Sequence, residues 1–147
     1  MGLWDETLQA YGRPGVPEAC LALQDTHGQN TSFLLWAVWA ETADTALLAR
    51  AAEVARRWEA LALGPLREVR RALKPPFPGV ADGPRQDLRE DVKAAELRAE
   101  RVLMESLEAM THDRRGVPAL TALEAASKAW GAPAPDDALA ALAAALS

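Results

Sequence analysis

Apolar residues recur through most of the chain at steps of three and four, the spacing that places side chains on one face of an α-helix. The longest such stripe comprises Leu88, Val92, Ala95, Ala99, Val102, Leu103, Leu107 and Met110. No segment alternates apolar and polar residues with an excess of β-branched side chains, which is the pattern of a strand. The pattern therefore predicts an all-α protein.

Glycine and proline residues divide this helical pattern into segments. We expect helices over residues 3–11, 16–27, 44–63, 65–74 and 119–130, a central helix over about 33–42, a long helix over about 86–111 and a short C-terminal helix. The segment 1–131 is the predicted helical domain. The segment 132–147 is predicted to be a Pro/Ala spacer and a short helix, which either docks on the bundle or self-associates.

The segment from Phe33 to Ala40 has no polar face, which is typical of a buried helix. We therefore expect a compact single-domain bundle with this helix at its centre and the second, fourth and sixth helices packed around it. Five tryptophans, mostly on apolar stripes, would supply much of the core.

Charge and composition narrow the class of protein. The 147 residues suffice for one domain with its own core, and the formal net charge is −5. An acidic chain argues against general nucleic-acid affinity. A single cysteine allows no internal disulfide and fits a reducing cytosol. The acidic start MGLWDETLQ lacks the features of a secretory signal, and no apolar run has the length of a membrane span. We expect a cytoplasmic protein that does not associate with membranes.

A dense polar segment, QDTHGQN at residues 24–30, separates two strongly apolar stretches. One interpretation is structural: Asp25 or Asn30 caps the central helix, Gln24 binds loop backbone and His27 lies at the carbonyl end of the preceding helix. The other interpretation is a ligand site in which these four side chains converge on one small molecule or ion. An interface with a partner is a third possibility.

The only cluster of positive charge lies on the predicted fifth helix, PLREVRRALK. Its members recur at helical spacing on one face and are Arg67, Arg70, Arg71 and Lys74. Because the arginine guanidinium suits carboxylates and phosphates, this face could bind an anionic partner. The alternative is that these arginines pair with neighbouring acids, for example those of the long helix.

The residues required for catalysis are poorly represented. A metal site would have to combine Asp25 and His27 with Glu96 and Glu100, which lie four residues apart on the long helix. A solvated charged face is the usual meaning of such a pair.

Cys20 falls on an apolar helix face and is expected to pack in the core. No nucleophile elbow, phosphate-binding loop or dinucleotide fingerprint is present, so we expect no cofactor and find no positive argument for an enzyme.

Several stretches resemble a known family. CLALQDTHGQN followed by LLWAVW, and further along PLREVRRALK and AELRAER, are similar to bacterial proteins grouped as domain of unknown function 2390. The resemblance extends over about residues 4–105. It implies a bacterial, cytosolic, all-helical protein and brings no activity, substrate or cofactor.

We therefore expect a small binding or adaptor module with a protein partner, which uses the 24–30 turn and the arginine face as contact surfaces. An enzyme that binds a small molecule or metal at that turn with Glu96 and Glu100 is the first alternative. Anion or nucleic-acid binding through the 67–74 face is the second, and nucleic acid is the less favoured ligand because the chain is acidic. Homo-oligomerisation stays open.

Overall fold

A computed structural model describes residues 2–114 and 116–147. Position 1, where the predicted first domain begins, lies outside the described residues. The helices are α1 (Leu3–Tyr11), α2 (Val16–Asp25), α3 (Thr31–Trp39), α4 (Thr45–Trp58), α5 (Gly64–Ala72), α6 (Asp82–Ala109), α7 (Ala119–Trp130) and α8 (Asp136–Leu146). A π-helical turn (Glu59–Leu63) joins α4 to α5. The part of the chain that the structure describes contains no strand, which confirms the all-α prediction.

Local chemistry explains where the helices begin and end. Asp44 caps α4 by accepting hydrogen bonds from the backbone amides of Ala46 and Leu47 at 3.0 and 3.2 Å. The central helix ends at Trp39 rather than 42, because the chain turns through a left-handed residue, Glu41, with φ of 51°. The long helix begins at Asp82 rather than 86, since proline is tolerated in a first turn, where its missing N–H has no helical acceptor.

The core is built around α3, as the absence of a polar face predicted. Residues Thr31 to Ala37 are buried throughout. The neighbours of α3 differ from those expected: α7 is its most extensive contact and α6 the next, whereas α2 and α4 touch it less. The indole N–H of Trp36 donates to Oγ1 of Thr111 at 2.9 Å, which satisfies the one polar group of a fully buried side chain.

The π-helical turn changes which residues face inward after Trp58. Leu61 lies seven residues after Val54, on the same side of a regular helix, and both are exposed, at 73% and 38%. The π-turn adds a residue to one turn, and Leu63 is the buried residue beyond it. Its final hydrogen bond runs from the amide of Gly64 to the carbonyl of Glu59. A Cβ at Gly64 would lie 3.0 Å from that carbonyl oxygen, so an alanine there would require the turn to shift by a few tenths of an ångström.

The C-terminal helix α8 docks on the bundle. It packs against α2 and α7, and Leu139 and Leu142 are buried in the same core as the rest of the chain. The predicted division at residue 131 falls in the connection between α7 and α8. No helix in the described ranges 2–114 and 116–147 combines the length and apolarity needed to cross a membrane.

Candidate functional site

The 24–30 turn is fixed by hydrogen bonds to the segment that follows α7. The carboxamide nitrogen of Gln29 donates to the carbonyls of His27 and Ala132, and its oxygen accepts from the hydroxyl of Ser127 at 2.9 Å. The indole N–H of Trp130 donates to the carbonyl of Gly28 at 2.9 Å. These bonds hold the polar turn in one conformation at the end of the core.

Asn30 connects this turn to the π-helical turn. Its side-chain oxygen caps α3 by accepting a hydrogen bond from the amide of Phe33 at 2.9 Å. Its side-chain nitrogen lies 3.5 Å from Oε1 of Glu59. The buried side chain of Asn30 therefore both caps the central helix and contacts the carboxylate of Glu59.

The turn also meets the arginine face of α5. Nη2 of Arg71 lies 3.2 Å from Oδ1 of Asp25, and Nε2 of Gln24 lies 3.5 Å from the same oxygen. His27 is partly buried, and its carbonyl is occupied by Gln29. The two polar regions of the sequence analysis thus form one continuous surface.

Two of the four members of the arginine face point into the bundle, and the other two are exposed to solvent. The side chains of Arg67 and Arg70 are only 15% and 24% exposed. Nε of Arg70 donates to Oε2 of Glu96 at 2.6 Å, and Nε of Arg67 lies 3.5 Å from Oε1 of the same carboxylate. Lys74 is exposed beyond the end of α5. The positive charges of Arg67 and Arg70 are therefore directed at Glu96 on α6 rather than at solvent.

Glu100 lies one turn beyond Glu96 and completes a cluster of charged and polar side chains between α1, α2, α5 and α6. The pKa of Glu100 is raised from its ordinary value of 4.5 to about 7, mainly by burial and in addition by the neighbouring Glu96, while the cations Arg67 and Arg70 partly offset the rise. The carboxyl group of Glu100 is therefore poised to exchange a proton near neutral pH.

Two further titratable groups adjoin Glu100 from the other side. Burial is the main reason why the pKa of Tyr11 lies far above its ordinary value, and the negative charge of Glu100 adds to the effect. Burial likewise raises the pKa of Cys20 to about 11, so this thiol stays protonated. Both groups are neutral core side chains, as was expected of Cys20.

An open cleft of about 680 Å³ lies between the 24–30 turn, the π-helical turn and α5. We call it the Glu59 cleft, and its lining includes Gln24, Gly28, Arg56, Glu59, Arg67 and Glu68. Burial raises the pKa of Glu59, while Arg67 and the side chain of Asn30 lower it. The carboxylate of Glu59 is thus half-buried and faces a solvent-filled space.

The four candidate metal ligands are not assembled into a metal site. Asp25 is bound to Arg71 at the rim, and Glu96 is bound to Arg70 on α6. Throughout residues 2–114 and 116–147, no three His, Cys, Asp or Glu side chains lie close enough to hold a metal ion. Of the four residues singled out in the 24–30 turn, Gln24 lines the cleft, whereas Asn30 lies behind Glu59.

Glu59, Tyr11 and Gly64 were not among the site residues predicted from the sequence. A signal for Glu59 was present, because it falls four residues after Ala55 and four before Leu63, on the inward face of the helix. A carboxylate at such a position needs a partner or access to water. Its partners come from α3 and α5, which no helical spacing within α4 reveals.

The fold and this site define a small all-helical protein with a polar cleft beside a partly buried cluster of carboxylates and arginines. The family model described as "Protein of unknown function (DUF2390)" matches residues 2–107, so the chain belongs to this family. This confirms the resemblance carried by CLALQDTHGQN and LLWAVW. The matched residues include every side chain of the cleft and the charged cluster, whereas α7 and α8 lie outside the match. Comparisons with curated proteins and with solved structures found no match.

Proposed function

We propose that this protein is a binding module for another protein and that the partner is held in the Glu59 cleft. The observation that carries the proposal is that the 24–30 turn and α5, two polar regions far apart in sequence, enclose one open cleft. Gln24 lines one side of it and Arg67 and Glu68 another. The ion pair between Arg71 and Asp25 joins the two sides at the rim.

The character of the cleft supports a protein partner. Small-molecule pockets bury most of their ligand and are predominantly apolar. The Glu59 cleft is open, and its lining mixes charged and amide side chains with Ala60 and Pro65, as a protein interface does. Its floor is rigid, because Asn30 and Gln29 are tied to α3 and to the segment after α7. A pre-formed surface loses little conformational entropy when a partner binds.

Site-specific photo-crosslinking tests this proposal. A benzophenone amino acid at Gln24 or Glu68, in cells of the source organism, should crosslink to the same protein. The matched control is the same amino acid at Glu124, which is exposed on α7 and does not line the cleft. The captured protein must then bind the purified chain, and Gln24→Arg should weaken that binding. Equal crosslinking from Glu124, or unchanged affinity, would reject the cleft as the contact surface.

A small-molecule ligand is the second candidate, because about 680 Å³ lies within the range of ligand pockets, roughly 300–1,000 Å³. A bound small molecule in native mass spectrometry of the protein from its own cells, with no protein crosslinked at Gln24, would favour this candidate over a protein partner.

We also propose that the protein acts in the cytosol of a bacterial cell. A single buried thiol, Cys20, is consistent with a reducing compartment. Fractionation of the source cells, followed by detection of the protein, tests this location.

A further inference from the structure

Arg67 lies between two carboxylates and forms a close, hydrogen-bonded ion pair with neither of them. Its Nη1 is 4.0 Å from Oε1 of Glu59, and its Nε is 3.5 Å from Oε1 of Glu96. A closed guanidinium–carboxylate hydrogen bond measures about 2.7–2.9 Å. The Nε atom is buried and has no hydrogen-bond partner among the described residues. Arg67 is therefore shared between two acceptors and fully satisfied by neither.

The other arginines around the cleft are already bound. Arg70 donates to Glu96 at 2.6 Å, and Arg71 pairs with Asp25. Arg56 donates to the carbonyls of Ala129 and Trp130 at 3.3 and 3.0 Å and stacks over the Trp130 ring. An anionic ligand would have to displace these contacts to bind Arg56, Arg70 or Arg71.

Glu59, by contrast, is loosely held. The side-chain nitrogen of Asn30 lies 3.5 Å away and Nη1 of Arg67 lies 4.0 Å away. The cluster as a whole contains three carboxylates, Glu59, Glu96 and Glu100, and two guanidinium groups, those of Arg67 and Arg70. When Glu100 is ionised, above its pKa of about 7, the cluster is one positive charge short of neutrality, and an unbalanced charge that is partly buried is costly.

We propose that a basic side chain of the protein partner enters the cleft and binds Glu59, and that Arg67 then closes onto Glu96. This inference rests on the proposed function and names the chemistry of its partner, a guanidinium or ammonium group. The added cation balances the cluster and releases Arg67 from its shared position. The net charge of −5 favours the approach of a basic surface.

Two matched probes test the charge requirement. Nα-acetyl-arginine amide carries the guanidinium group, and Nα-acetyl-citrulline amide has nearly the same shape without the charge. In an NMR titration of the full chain, the arginine probe should shift the backbone amide signals of Gly28, Glu59 and Gly64, and the citrulline probe should leave them in place. Equal shifts from both probes would overturn the proposal.

Two variants should change the affinity in opposite directions. Glu59→Gln removes the acceptor charge and should weaken the arginine probe at least tenfold, the usual effect of losing a charged hydrogen bond. Arg67→Gln removes the competing cation and should tighten binding. Glu124→Gln, an exposed carboxylate away from the cleft, is the control. Unchanged affinity in Glu59→Gln, or weaker binding in a folded Arg67→Gln protein, would contradict the proposal.

A pH titration of the unmodified protein provides a test that does not depend on the folding of Arg67→Gln. Because Glu100 loses its proton near pH 7, the cluster becomes more negative above that pH. Affinity for the arginine probe should therefore rise between pH 6 and 8. A constant or falling affinity over this range would count against the charge-balance argument.

The source of the cation and the proposed function can be separated. A capped pentapeptide with a central arginine should bind more tightly than N-acetylagmatine, which carries the same guanidinium and no second cation, and the reverse order would overturn a polypeptide source. A crosslinked partner whose affinity is unaffected by Glu59→Gln would overturn this inference and leave the proposed function standing. Binding of the arginine probe without any crosslinked protein would reject the proposed function and leave Glu59 as the site of a free cationic ligand.

Discussion

The hydroxyl of Ser127 donates a hydrogen bond of 2.9 Å to Oε1 of Gln29, and both side chains are buried. The same hydroxyl oxygen accepts from the amide of Ala134 at 2.8 Å, while the carboxamide nitrogen of Gln29 donates to the carbonyl of Ala132. Two residues 98 positions apart thus tie the 24–30 turn to the connection between α7 and α8.

Ser127→Ala should destabilise the protein by about 1–3 kcal/mol, because it leaves the Gln29 oxygen and the Ala134 amide buried without partners. Urea denaturation measures the change. The control is Ser106→Ala, whose exposed hydroxyl binds only the carbonyl of Val102 in its own helix. That change should stay within about 0.5 kcal/mol. Equal losses of stability in the two variants would show that the buried hydrogen bonds do not account for the effect of Ser127→Ala.

Gly64→Ala should destabilise the protein by about 1–3 kcal/mol, because the new methyl group meets the Glu59 carbonyl oxygen at 3.0 Å and that oxygen belongs to backbone. Gly83→Ala is the matched control, since nothing lies within 4 Å of a Cβ there. That change should be neutral or stabilising by up to about 1 kcal/mol. Thermal denaturation of both variants checks the sign, and a stabilised Gly64→Ala protein would disprove the role of the π-turn.

Glu100→Gln should stabilise the protein at pH 8, by an amount that shrinks towards pH 5. The folded protein holds the Glu100 proton up to a pKa of about 7, whereas the ordinary value is 4.5. The folded state therefore binds the extra proton between these values, and the stability that this group provides falls as pH rises through them. The groups that face it are Glu96, Arg67, Arg70, Tyr11 and Cys20.

Urea denaturation from pH 5 to 8 measures this effect. Glu105→Gln is the control, because Glu105 is exposed on α6 and pairs only with Arg101. Its stability difference from the unmodified protein should not follow the same curve. A Glu100→Gln protein that loses stability at pH 8 would show that the ionised carboxylate is instead well paired.

Leu142→Ala should cost about 2–5 kcal/mol, because Leu142 on α8 is fully buried in the common core. Leu21→Ala, on an exposed face of α2, should change stability by no more than about 0.5 kcal/mol. Unfolding followed by both tryptophan fluorescence and circular dichroism should stay a single transition in both variants. Two separate transitions would show that α8 unfolds independently of the bundle.

Asn30→Ala should destabilise the protein by about 0.5–2 kcal/mol through loss of the α3 cap. Asn30→Ser keeps a capping oxygen and should recover most of that stability. Neither variant keeps the amide nitrogen near Glu59, so any shared effect on ligand affinity reports that contact. Chemical denaturation measures the loss of stability in each variant. Equal losses in the two variants would show that Asn30 does not stabilise the protein by capping α3.

The order and type of the helices follow from pattern alone where one helix carries enough information. Residues 33–39 are apolar on every side, so burial of α3 required no knowledge of its neighbours. That α7 rather than α2 covers it could not be inferred, since many apolar stripes in this chain could have packed there. The choice between them depends on the shapes of whole helices.

The candidate site was only partly predictable for the same reason. The arginine face and the Glu96–Glu100 pair were each visible at helical spacing, yet their pairing is a contact between α5 and α6. The π-turn at Glu59 leaves no periodic trace, because a single added residue shifts the inward face by one position.

The pairing of α3 with α7 has a consequence for biosynthesis. A nascent chain emerges from the ribosome from its N-terminus, so α3 is complete long before α7 has been translated. Throughout that interval a helix that is apolar from Phe33 to Trp39 and bears two tryptophans lacks its main cover. The unfinished polypeptide is thus most vulnerable to aggregation while the ribosome is still decoding the second half of the message.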